Sequence, residues 1–365
     1  MRNKILFIGS FNKPKNGHYG GVYFASTTLR DGLNKEGHQI VEMDTTLKDI
    51  AETRVSKRLP NIITRQFEFL FIILFNRNAN YLFVFLSGGG SYIDKFFSIR
   101  LAKLLRKRVV IFPRSGNLIT DFSKKKFSFF IKRVFGFADI VVCQSSFWKD
   151  YFVSKNVNQN KLIVLENWVD DLKIEESTTL DYPKFKGKNK ETFKIVFVSR
   201  IEKAKGVDDI IVLAKELRNK LDFTINVFGA GSYENEFIEN IKSNQLEDVV
   251  QSKGWLEKGK MLKTINVNHL AIFPSQTEGY PNSLLDYIFA KTPIIASDIP
   301  MVKAVGGDNM MYFRQGNQNE LVEKVYDIIN NYPVYQLKAE RIYSEKFENN
   351  NLKKALLKFN TILND

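Results

Sequence analysis

The sequence predicts two doubly wound α/β domains that face each other across a cleft. The chain has 365 residues, the length of two ordinary domains, and its 44% apolar content is enough for a core in each. Short apolar runs alternate with amphipathic stretches in both halves, which is typical of β-α-β units around a parallel sheet. The alternation stops at Asp170–Glu191, a polar stretch that we interpret as the interdomain connection.

The first half starts with an apolar strand and a loop rich in Gly, Asn and Pro. Strands are expected at Ile5–Ile8, Gln39–Met43, Tyr81–Leu86, Val109–Phe112, Ile140–Cys143 and Lys161–Leu165. Helical spacing predicts helices at Val22–Glu36, Ile62–Phe75, Tyr92–Arg106, Phe122–Phe135 and Phe147–Val153.

The second half repeats the alternation after the polar stretch. Strands are expected at Phe193–Val198, Phe223–Phe228, Ala271–Pro274 and Ile294–Ala296. Helices are expected at Gly206–Leu217, Ser283–Ala290, Glu320–Asn330, Tyr335–Tyr343 and Leu352–Leu363, while Lys303–Phe313 fits either element. The predicted bounds are residues 1–169 for the N-terminal domain, 170–191 for the linker and 192–345 for the C-terminal domain. We expect a last helix, within residues 346–365, to return to the N-terminal domain.

The positive charge of the chain is concentrated in its N-terminal half. The formal net charge is +14, from 54 Lys and Arg against 40 Asp and Glu. Residues Met1–Leu172 have 27 basic and 14 acidic side chains, a net charge of +13, whereas Lys173–Asp365 have 27 and 26, a net charge of +1. This asymmetry predicts a polyanionic or membrane partner for the N-terminal half alone.

Composition excludes several kinds of site and segment. Cys143 is the single cysteine, which excludes a disulfide framework and a Cys-based zinc site, and the three His are scattered along the chain. The apolar run near the start is shorter than the about 7 residues of a signal-peptide core. The longest uncharged apolar run, Phe69–Phe75, is far below the about 20 residues that span a bilayer. We expect no metal, no cofactor, and a cytoplasmic protein that is peripheral on the inner face of the cytoplasmic membrane.

The segment Phe273–Pro300 contains the strongest candidate site. A predicted strand there runs into a polar loop, and the loop opens a helix near Asn282, where backbone N–H groups can hold an anion. Glu278 and Asp286 are eight residues apart, so two carboxylates could grip hydroxyls on two parts of one extended ligand. A capped and solvated helix start is the alternative interpretation.

This segment resembles the donor-binding motif of retaining glycosyltransferases of family 4, which have a GT-B-type fold of two Rossmann-like domains. The positions that fit are Glu278, Gly279, Tyr280, Pro281, Leu284, Leu285, Ala290 and Pro293. Two positions depart from the motif, because Asp286 replaces the usual second Glu and Lys291 replaces the usual Gly. The resemblance implies that Glu278 holds the sugar hydroxyls and that Asp286 holds the ribose. The other implied contacts of this segment to the nucleotide sugar are Gly279, Tyr280, Pro281, Asn282, Ser283 and Leu284.

The resemblance continues in family order elsewhere, strongly from about Ile195 to Pro300. The segment Val198–Gly206 is similar to the family's strand end with an Arg and a Lys that hold the donor diphosphate, which implies this role for Arg200 and Lys205. Gly229 and Gly231 lie in Val227–Phe237, which matches the family's strand–Gly-x-Gly–helix element; a tight turn is the alternative interpretation. Asn167-Trp168-Val169-Asp170 is similar to the Asn-Gly-Val-Asp that ends the N-terminal domain, with Trp in place of Gly.

Three loops of the N-terminal half are candidates for the rest of the site. Gly20 and Gly21 resemble the family's glycine loop near the transferred sugar, where the backbone must approach the ligand. Ser87–Ser91 is a second glycine loop, either an anion nest for an acceptor phosphate or a plain turn. The family's sugar-contacting His is absent after Val109–Phe112, which implies that Arg114, Ser115 or Asn117 positions the sugar or the acceptor.

Two basic stretches, Phe122–Phe137 and Ile99–Arg108, point to an anionic membrane surface. The first interleaves Lys and Arg with a helical apolar stripe, as in interfacial helices. The alternative is that the stripe packs on the sheet and the basic side chains are solvated. Nucleic acid is not expected, because no recognition motif is present.

The resemblance implies a retaining, metal-independent transfer from a nucleotide diphosphate sugar, expected to be a UDP-sugar, to a lipid-linked or membrane-proximal glycan. Arg200, Lys205 and Glu278 would be the catalytic residues. The C-terminal domain would bind the donor and the N-terminal domain the acceptor, in bacterial surface polysaccharide biosynthesis. The alternatives are a non-catalytic glycosyltransferase-like partner subunit, a nucleotide-sugar epimerase, and a basic membrane- or nucleic-acid-binding module.

Overall fold

A computed structural model describes residues 2–13, 21–46, 55–187 and 190–364. The chain divides into two compact units. The first unit comprises Met1–Trp168 and Leu352–Asp365, and the second comprises Val169–Asn351. Each unit is built on its own six-stranded, all-parallel sheet.

The first unit has a sheet in the order β2-β1-β3-β4-β5-β6. Its strands are β1 (Lys4–Gly9), β2 (Gln39–Asp44), β3 (Tyr81–Leu86), β4 (Arg108–Pro113), β5 (Ile140–Cys143) and β6 (Leu162–Val164). Its helices before the second unit are α1 (Gly21–Lys35), α2 (Val55–Phe75), α3 (Gly89–Leu104), α4 (Leu118–Ser123), α5 (Lys125–Phe137) and α6 (Ser146–Ser154). β3 is apolar at every position and fully buried, as expected of a strand covered on both faces of a parallel sheet.

The second unit has a sheet in the order β12-β11-β10-β7-β8-β9. Its strands are β7 (Phe193–Val198), β8 (Phe223–Phe228), β9 (Val250–Ser252), β10 (Leu270–Phe273), β11 (Ile294–Ser297) and β12 (Met311–Phe313). Its helices are α7 (Asp171–Thr178), α8 (Val207–Leu217), α9 (Glu234–Ser243), α10 (Met261–Asn266), α11 (Asn282–Phe289), α12 (Pro300–Gly306), α13 (Gln318–Asn330) and α14 (Tyr332–Asn349). The chain ends with α15 (Leu352–Asn364), which belongs to the first unit.

The last helix, α15, completes the core of the first unit. Phe359 is fully buried, and its ring packs against Phe83, Phe112 and Trp168. The hydroxyl of Tyr81 donates a hydrogen bond of 2.7 Å to the carbonyl of Leu363. The prediction of two doubly wound α/β units with a returning C-terminal helix is confirmed. The returning helix begins at Leu352 and not at the start of the expected range, residues 346–365, because residues 346–349 are the last residues of α14.

The sequence missed several elements of the second unit. The stretch expected to be a linker, residues 170–191, contains α7, and residues 303–313 contain the end of α12 and all of β12. Helix α10 and strand β9 were also missed. The missed elements α7, α10, β9 and β12 are only three to eight residues long. One or two turns hold too few apolar positions for a helical period to stand out.

The strand order places a crevice in the second unit. β7 lies between β8 and β10, so the chain leaves β7 towards one side of the sheet and leaves β10 towards the other. Loops that diverge in this way open a crevice at the carboxyl ends of the two strands, where doubly wound sheets bind ligands. No helix in the described part of the chain is long and apolar enough to cross a membrane.

Candidate functional site

The loops after β7 and β10 bring together two of the predicted catalytic residues. The ammonium Nζ of Lys205 is 2.6 Å from Oε1 of Glu278, and the two side chains are only 14% and 10% exposed. The backbone N–H of Gln276 donates to the carbonyl of Ala204 at 2.9 Å, which ties the two loops together. The pair therefore lies at the crevice that the strand order creates.

Glycine is required where these loops meet. Gly206 has a φ of +72°, and a Cβ there would lie 2.1 Å from the carbonyl oxygen of Pro274. Any other residue would push the loop after β7 away from the loop after β10. Gly206 thus permits the contact between Lys205 and Glu278.

The predicted Gly-x-Gly turn packs on the loop that carries Arg200. A Cβ on Gly229 would lie 1.8 Å from the carbonyl oxygen of Ser199, and one on Gly231 would lie 2.3 Å from that of Ile201. The backbone N–H of Ile201 donates to the carbonyl of Ala230 at 3.1 Å. This contact between two backbones accounts for both glycines without a ligand.

Arg200 pairs with a different carboxylate, that of Glu202. Its side chain is 57% exposed, and its Nη1 donates to Oε1 of Glu202 at 2.6 Å. Because exposed ion pairs contribute little to stability, this contact leaves the guanidinium free to reorient towards an anion.

Asp286 forms a buried ion pair that the sequence did not predict. Its carboxylate contacts Nζ of Lys173 on α7, and the side chains are 13% and 11% exposed. Lys173 is oriented by the helix start, where Oδ1 of Asp170 accepts a hydrogen bond of 2.9 Å from the Lys173 backbone N–H. No sequence signal marked Lys173, because its helix falls in the stretch interpreted as a linker.

The remaining residues of the Phe273–Pro300 motif differ in how far they are exposed to solvent. Gly279, Asn282 and Ser283 are partly exposed, whereas the others are buried: Tyr280, Pro281 and Leu284. The Tyr280 hydroxyl accepts a hydrogen bond of 3.1 Å from Nδ2 of Asn350. Tyr280 therefore anchors the loop before α11, and Asn350 is a supporting residue that sequence reasoning missed.

Tyr287 on α11 fixes the end of β7. Its buried hydroxyl accepts a hydrogen bond of 2.6 Å from the backbone N–H of Val198, two residues before Arg200. Burial raises the pKa of the Tyr287 hydroxyl. The helix of the motif thus holds the strand that leads to the predicted diphosphate site.

Lys291 replaces the usual Gly of the motif, and the structure explains how. Its φ is +58°, a conformation that glycine adopts without strain. Its Nζ donates to the carbonyl of Leu180 at 2.6 Å and lies 5.0 and 4.7 Å from the ring centroids of Tyr182 and Tyr343. Burial lowers the pKa of this ammonium. The side-chain contacts offset the backbone strain.

Replacing Lys291 separates these two contributions. We expect Lys291→Ala to unfold at a lower urea concentration than the parent, because the strain remains and the contacts are lost. Lys291→Gly removes the strain and should be more stable than Lys291→Ala by about 1 kcal/mol. Equal stabilities of the two variants would show that the positive φ carries no cost.

In the first unit, the structure brings Arg114 and Ser115 to the end of β4. Arg114 donates from Nη1 to Oδ1 of Asn167 at 2.8 Å and lies over the rings of Phe85 and Trp168. Burial lowers the pKa of Arg114 to about 9. No carboxylate in the described part of the chain forms an ion pair with this guanidinium, so its positive charge is available to an anionic group.

The other candidates of the first unit are placed differently. Ser115 is buried, and its Oγ accepts a hydrogen bond of 3.2 Å from the backbone N–H of Asn117, whose side chain is exposed. Gly21 is the first residue of α1, and Gly20 lies outside the described residues.

The glycine loop Ser87–Ser91 does not present an open helix start. The backbone N–H of Gly89, the first residue of α3, donates to Oδ2 of the buried Asp121 at 2.8 Å. A Cβ on Gly89 would also lie 2.7 Å from the ring of Phe127. The chain's own carboxylate occupies the position suggested for an acceptor phosphate.

The basic helix α5 buries only part of the apolar stripe that the sequence singled out, which is Phe127, Phe130, Ile131 and Val134. Ile131 and Val134 are fully buried, whereas Phe127 and Phe130 are partly exposed. The exposed side chains of this stretch include its five basic ones, Lys124, Lys125, Lys126, Lys132 and Arg133. In the described part of the chain, no group of three or more His, Cys, Asp or Glu could hold a metal ion.

The chain is similar to known proteins in sequence and in fold. Residues 179–350 match the sequence model of the family described as glycosyl transferases group 1. The chain is 22% identical over 351 residues to an uncharacterized 41.2 kDa protein in the cps region of Klebsiella pneumoniae, covering 92% of this chain and 93% of that protein. It is 29% identical over 150 residues to the poly(ribitol-phosphate) alpha-N-acetylglucosaminyltransferase of Staphylococcus aureus, covering 40% of this chain and 30% of that protein.

A solved structure shares the fold over its full length. Anabaena HepE in complex with UDP and glucose superimposes with a TM-score of 0.73 at 14% identity, covering 100% of both chains. The family match spans β7 to β12 and includes Lys205, Glu278 and Asp286. The chain therefore has the fold of GT-B glycosyltransferases, and its second unit contains a segment that matches the glycosyl transferases group 1 model.

Proposed function

We propose that the protein transfers a sugar, with retention of anomeric configuration, from a UDP-sugar to a lipid-linked or membrane-proximal glycan in bacterial surface polysaccharide biosynthesis. The observation that carries the proposal is the buried Lys205–Glu278 pair at the switch-point crevice, inside the segment that matches the family. The donor has a diphosphate next to a sugar. An adjacent cation and carboxylate could bind these two groups, the cation the diphosphate and the carboxylate the sugar hydroxyls.

The roles of the catalytic residues follow from their charges. Lys205 and Arg200 neutralise the diphosphate and stabilise the negative charge that develops as the glycosidic bond breaks. Glu278 accepts hydrogen bonds from the sugar hydroxyls. Because Lys205 is already held by Glu278, the diphosphate meets a cation whose position is set before binding. These groups supply the electrostatic stabilisation, and the proposed reaction is metal-independent.

Other residues would position the donor and the acceptor. Asp286 would hold the ribose, with Lys173 orienting its carboxylate. The backbone around Gly21, Gly229, Gly231 and Gly279 would lie close to the nucleotide sugar. Arg114, Ser115 and Asn117 would position the sugar or the acceptor, in the place of the absent His.

The choice of UDP and of a polysaccharide acceptor rests on the relatives. HepE is described in complex with UDP and glucose, and the S. aureus relative is named as an alpha-N-acetylglucosaminyltransferase of poly(ribitol-phosphate). The net charge of +13 on residues 1–172 supports an acceptor that is attached to an anionic membrane. Lys124, Lys125, Lys126, Lys132 and Arg133 of α5 would contribute to this attraction.

A nucleotide screen followed by a transfer assay tests the proposal. UDP at 100 times its dissociation constant should stabilise the protein by about 2.7 kcal/mol, read as a higher melting temperature, whereas GDP and ADP should stabilise it less. Incubation with UDP-sugars should then release UDP. Equal shifts with all three nucleotides would contradict the UDP assignment. Stabilisation by UDP with neither hydrolysis nor transfer would favour a non-catalytic partner subunit.

A further inference from the structure

One face of α2 presents large apolar side chains to solvent. Six of them follow the spacing of a single helical face: Ile63, Phe67, Leu70, Phe71, Leu74 and Phe75. Phe67, Phe71 and Phe75 are 60%, 58% and 82% exposed, whereas Phe69 and Ile73 on the other face are buried. A contiguous apolar patch of this kind marks an interaction surface.

The apolar surface continues onto the neighbouring helix. α2 joins α3 through an ion pair between Arg65 and Asp94 and through a hydrogen bond of 2.9 Å from Ser98 to Gln66. On α3, Phe97 and Leu104 are 63% and 71% exposed and lie seven residues apart, on one face. α3 packs in turn against α5, so α2, α3 and α5 form one helical layer over the sheet.

Exposed cations accompany these apolar side chains. Arg100 lies between Phe97 and Leu104 on the outer face of α3, and α5 has four basic residues and no Asp or Glu. A surface pocket of about 400 Å³ lies between the two helices, lined by Phe96, Arg100, Lys103, Leu104, Arg133 and Phe137. Lys103 is paired with Asp139. Arg100 and Arg133 are exposed cations on apolar walls.

We propose that this α2–α3 surface inserts its apolar side chains into an anionic lipid bilayer, with Arg100 and Arg133 in contact with lipid phosphates. A bilayer of this kind offers acyl chains and negative charge together, which matches the apolar patch and the basic pocket beside it. A second copy of the chain would meet the patch with its own positive charge, which disfavours self-association. The inference rests on the proposed function in one respect, namely that the acceptor is at a membrane.

The helix that makes the apolar contact with the membrane differs from the one that the sequence predicted. Ile131 and Val134 of the α5 stripe are buried in the protein, so the outer surface of α5 is mainly basic, with Phe129 as its one strongly exposed aromatic side chain among the described residues. The apolar contact comes from α2, whose exposed aromatic side chains are not needed for the core. Each basic residue near an anionic surface contributes about fivefold to membrane binding.

A fluorescent probe on α2 tests insertion. Cys143 is the single cysteine of the chain and is 1% exposed, so an introduced cysteine is labelled selectively. An environment-sensitive dye on Phe75→Cys should shift its emission to the blue when vesicles of equimolar phosphatidylglycerol and phosphatidylcholine are added. The same dye on Leu337→Cys, an exposed apolar position of the second unit, should not shift. No shift at position 75, or a shift that depends on protein concentration without lipid, overturns the proposal.

Vesicle sedimentation tests separately how much the apolar side chains and the cations contribute to membrane binding. Phe67→Gln/Phe71→Gln/Phe75→Gln and Arg100→Glu/Arg133→Glu should each lower binding at least about tenfold. The control Lys215→Glu/Lys242→Glu changes the charge equally, on exposed positions of the second unit, and should bind like the parent. Equal binding of parent and variants overturns the proposal. Stabilisation by UDP, measured without vesicles on the same proteins, reports the donor site independently, so failure of the membrane surface and failure of the proposed function are distinguishable.

Discussion

Lys205→Met is expected to lower kcat/KM for sugar transfer by at least about 100-fold. The substitution removes the ammonium that we place against the leaving diphosphate, and preorganised groups of this kind contribute about 100- to 1,000-fold to the rate. Initial rates of UDP release measure the loss. Lys203→Met is the matched control, because Lys203 lies on the same loop with an exposed side chain and should retain the parent rate.

The partner variant Glu278→Gln should lose activity to a similar extent, because a carboxylate accepts hydrogen bonds from sugar hydroxyls more strongly than an amide does. Each single variant leaves one largely buried charge unpaired, which costs up to about 3–5 kcal/mol of stability, the range for fully buried pairs. The double variant Lys205→Met/Glu278→Gln removes both charges and should regain stability without regaining activity. Parent-like rates in both single variants would refute the assignment of the donor site.

Lys173→Met is expected to destabilise the second unit by about 3–5 kcal/mol, because the carboxylate of Asp286 then stays buried without its cation. Urea unfolding measures this change. The double variant Lys173→Met/Asp286→Leu replaces the ion pair with apolar side chains and should recover most of the stability.

Activity separates the structural role of Asp286 from its proposed role in donor binding. In the double variant, KM for the UDP-sugar should stay at least about tenfold above the parent value, because the ribose hydroxyls lose an acceptor. Asp171→Asn, an exposed acid on the same helix as Lys173, is the control and should leave KM unchanged. Recovery of both stability and KM in the double variant would show that Asp286 serves the fold alone.

Much of the fold could be read from local sequence. Strands Tyr81–Leu86, Ile140–Cys143, Phe193–Val198 and Phe223–Phe228 were predicted with the bounds that the structure shows. All four strands lie inside parallel sheets. The first three are apolar at all or nearly all positions, so their ends coincide with the ends of apolar runs, whereas Phe223–Phe228 alternates apolar with polar side chains. Short elements such as α7 and β9 have no such signature, and tertiary contacts stabilise them.

The residues of the candidate site likewise fall into those that local motifs identified and those that local motifs missed. Glu278 and Lys205 were found because they stand in local motifs, and the structure brings them within 2.6 Å. Lys173, Tyr287 and Asn350 were missed, because each acts on a residue 70 to 113 positions away in the chain. Residue spacing within a short motif does not indicate contacts between residues so far apart in the chain.

The sequence by itself determined the two α/β units, the concentration of charge in the first half and the identity of the residues in the motif at Phe273–Pro300, since all three depend on residue type and short-range period. Only the tertiary structure decided which of these residues meet, because the order of strands in the sheet sets which loops share a crevice. It also decided which apolar helix faces remain exposed. A helix period shows that one face is apolar, but burial depends on what packs against it. Ile131 and Val134 of α5 are fully covered, whereas Phe67, Phe71 and Phe75 of α2 are exposed.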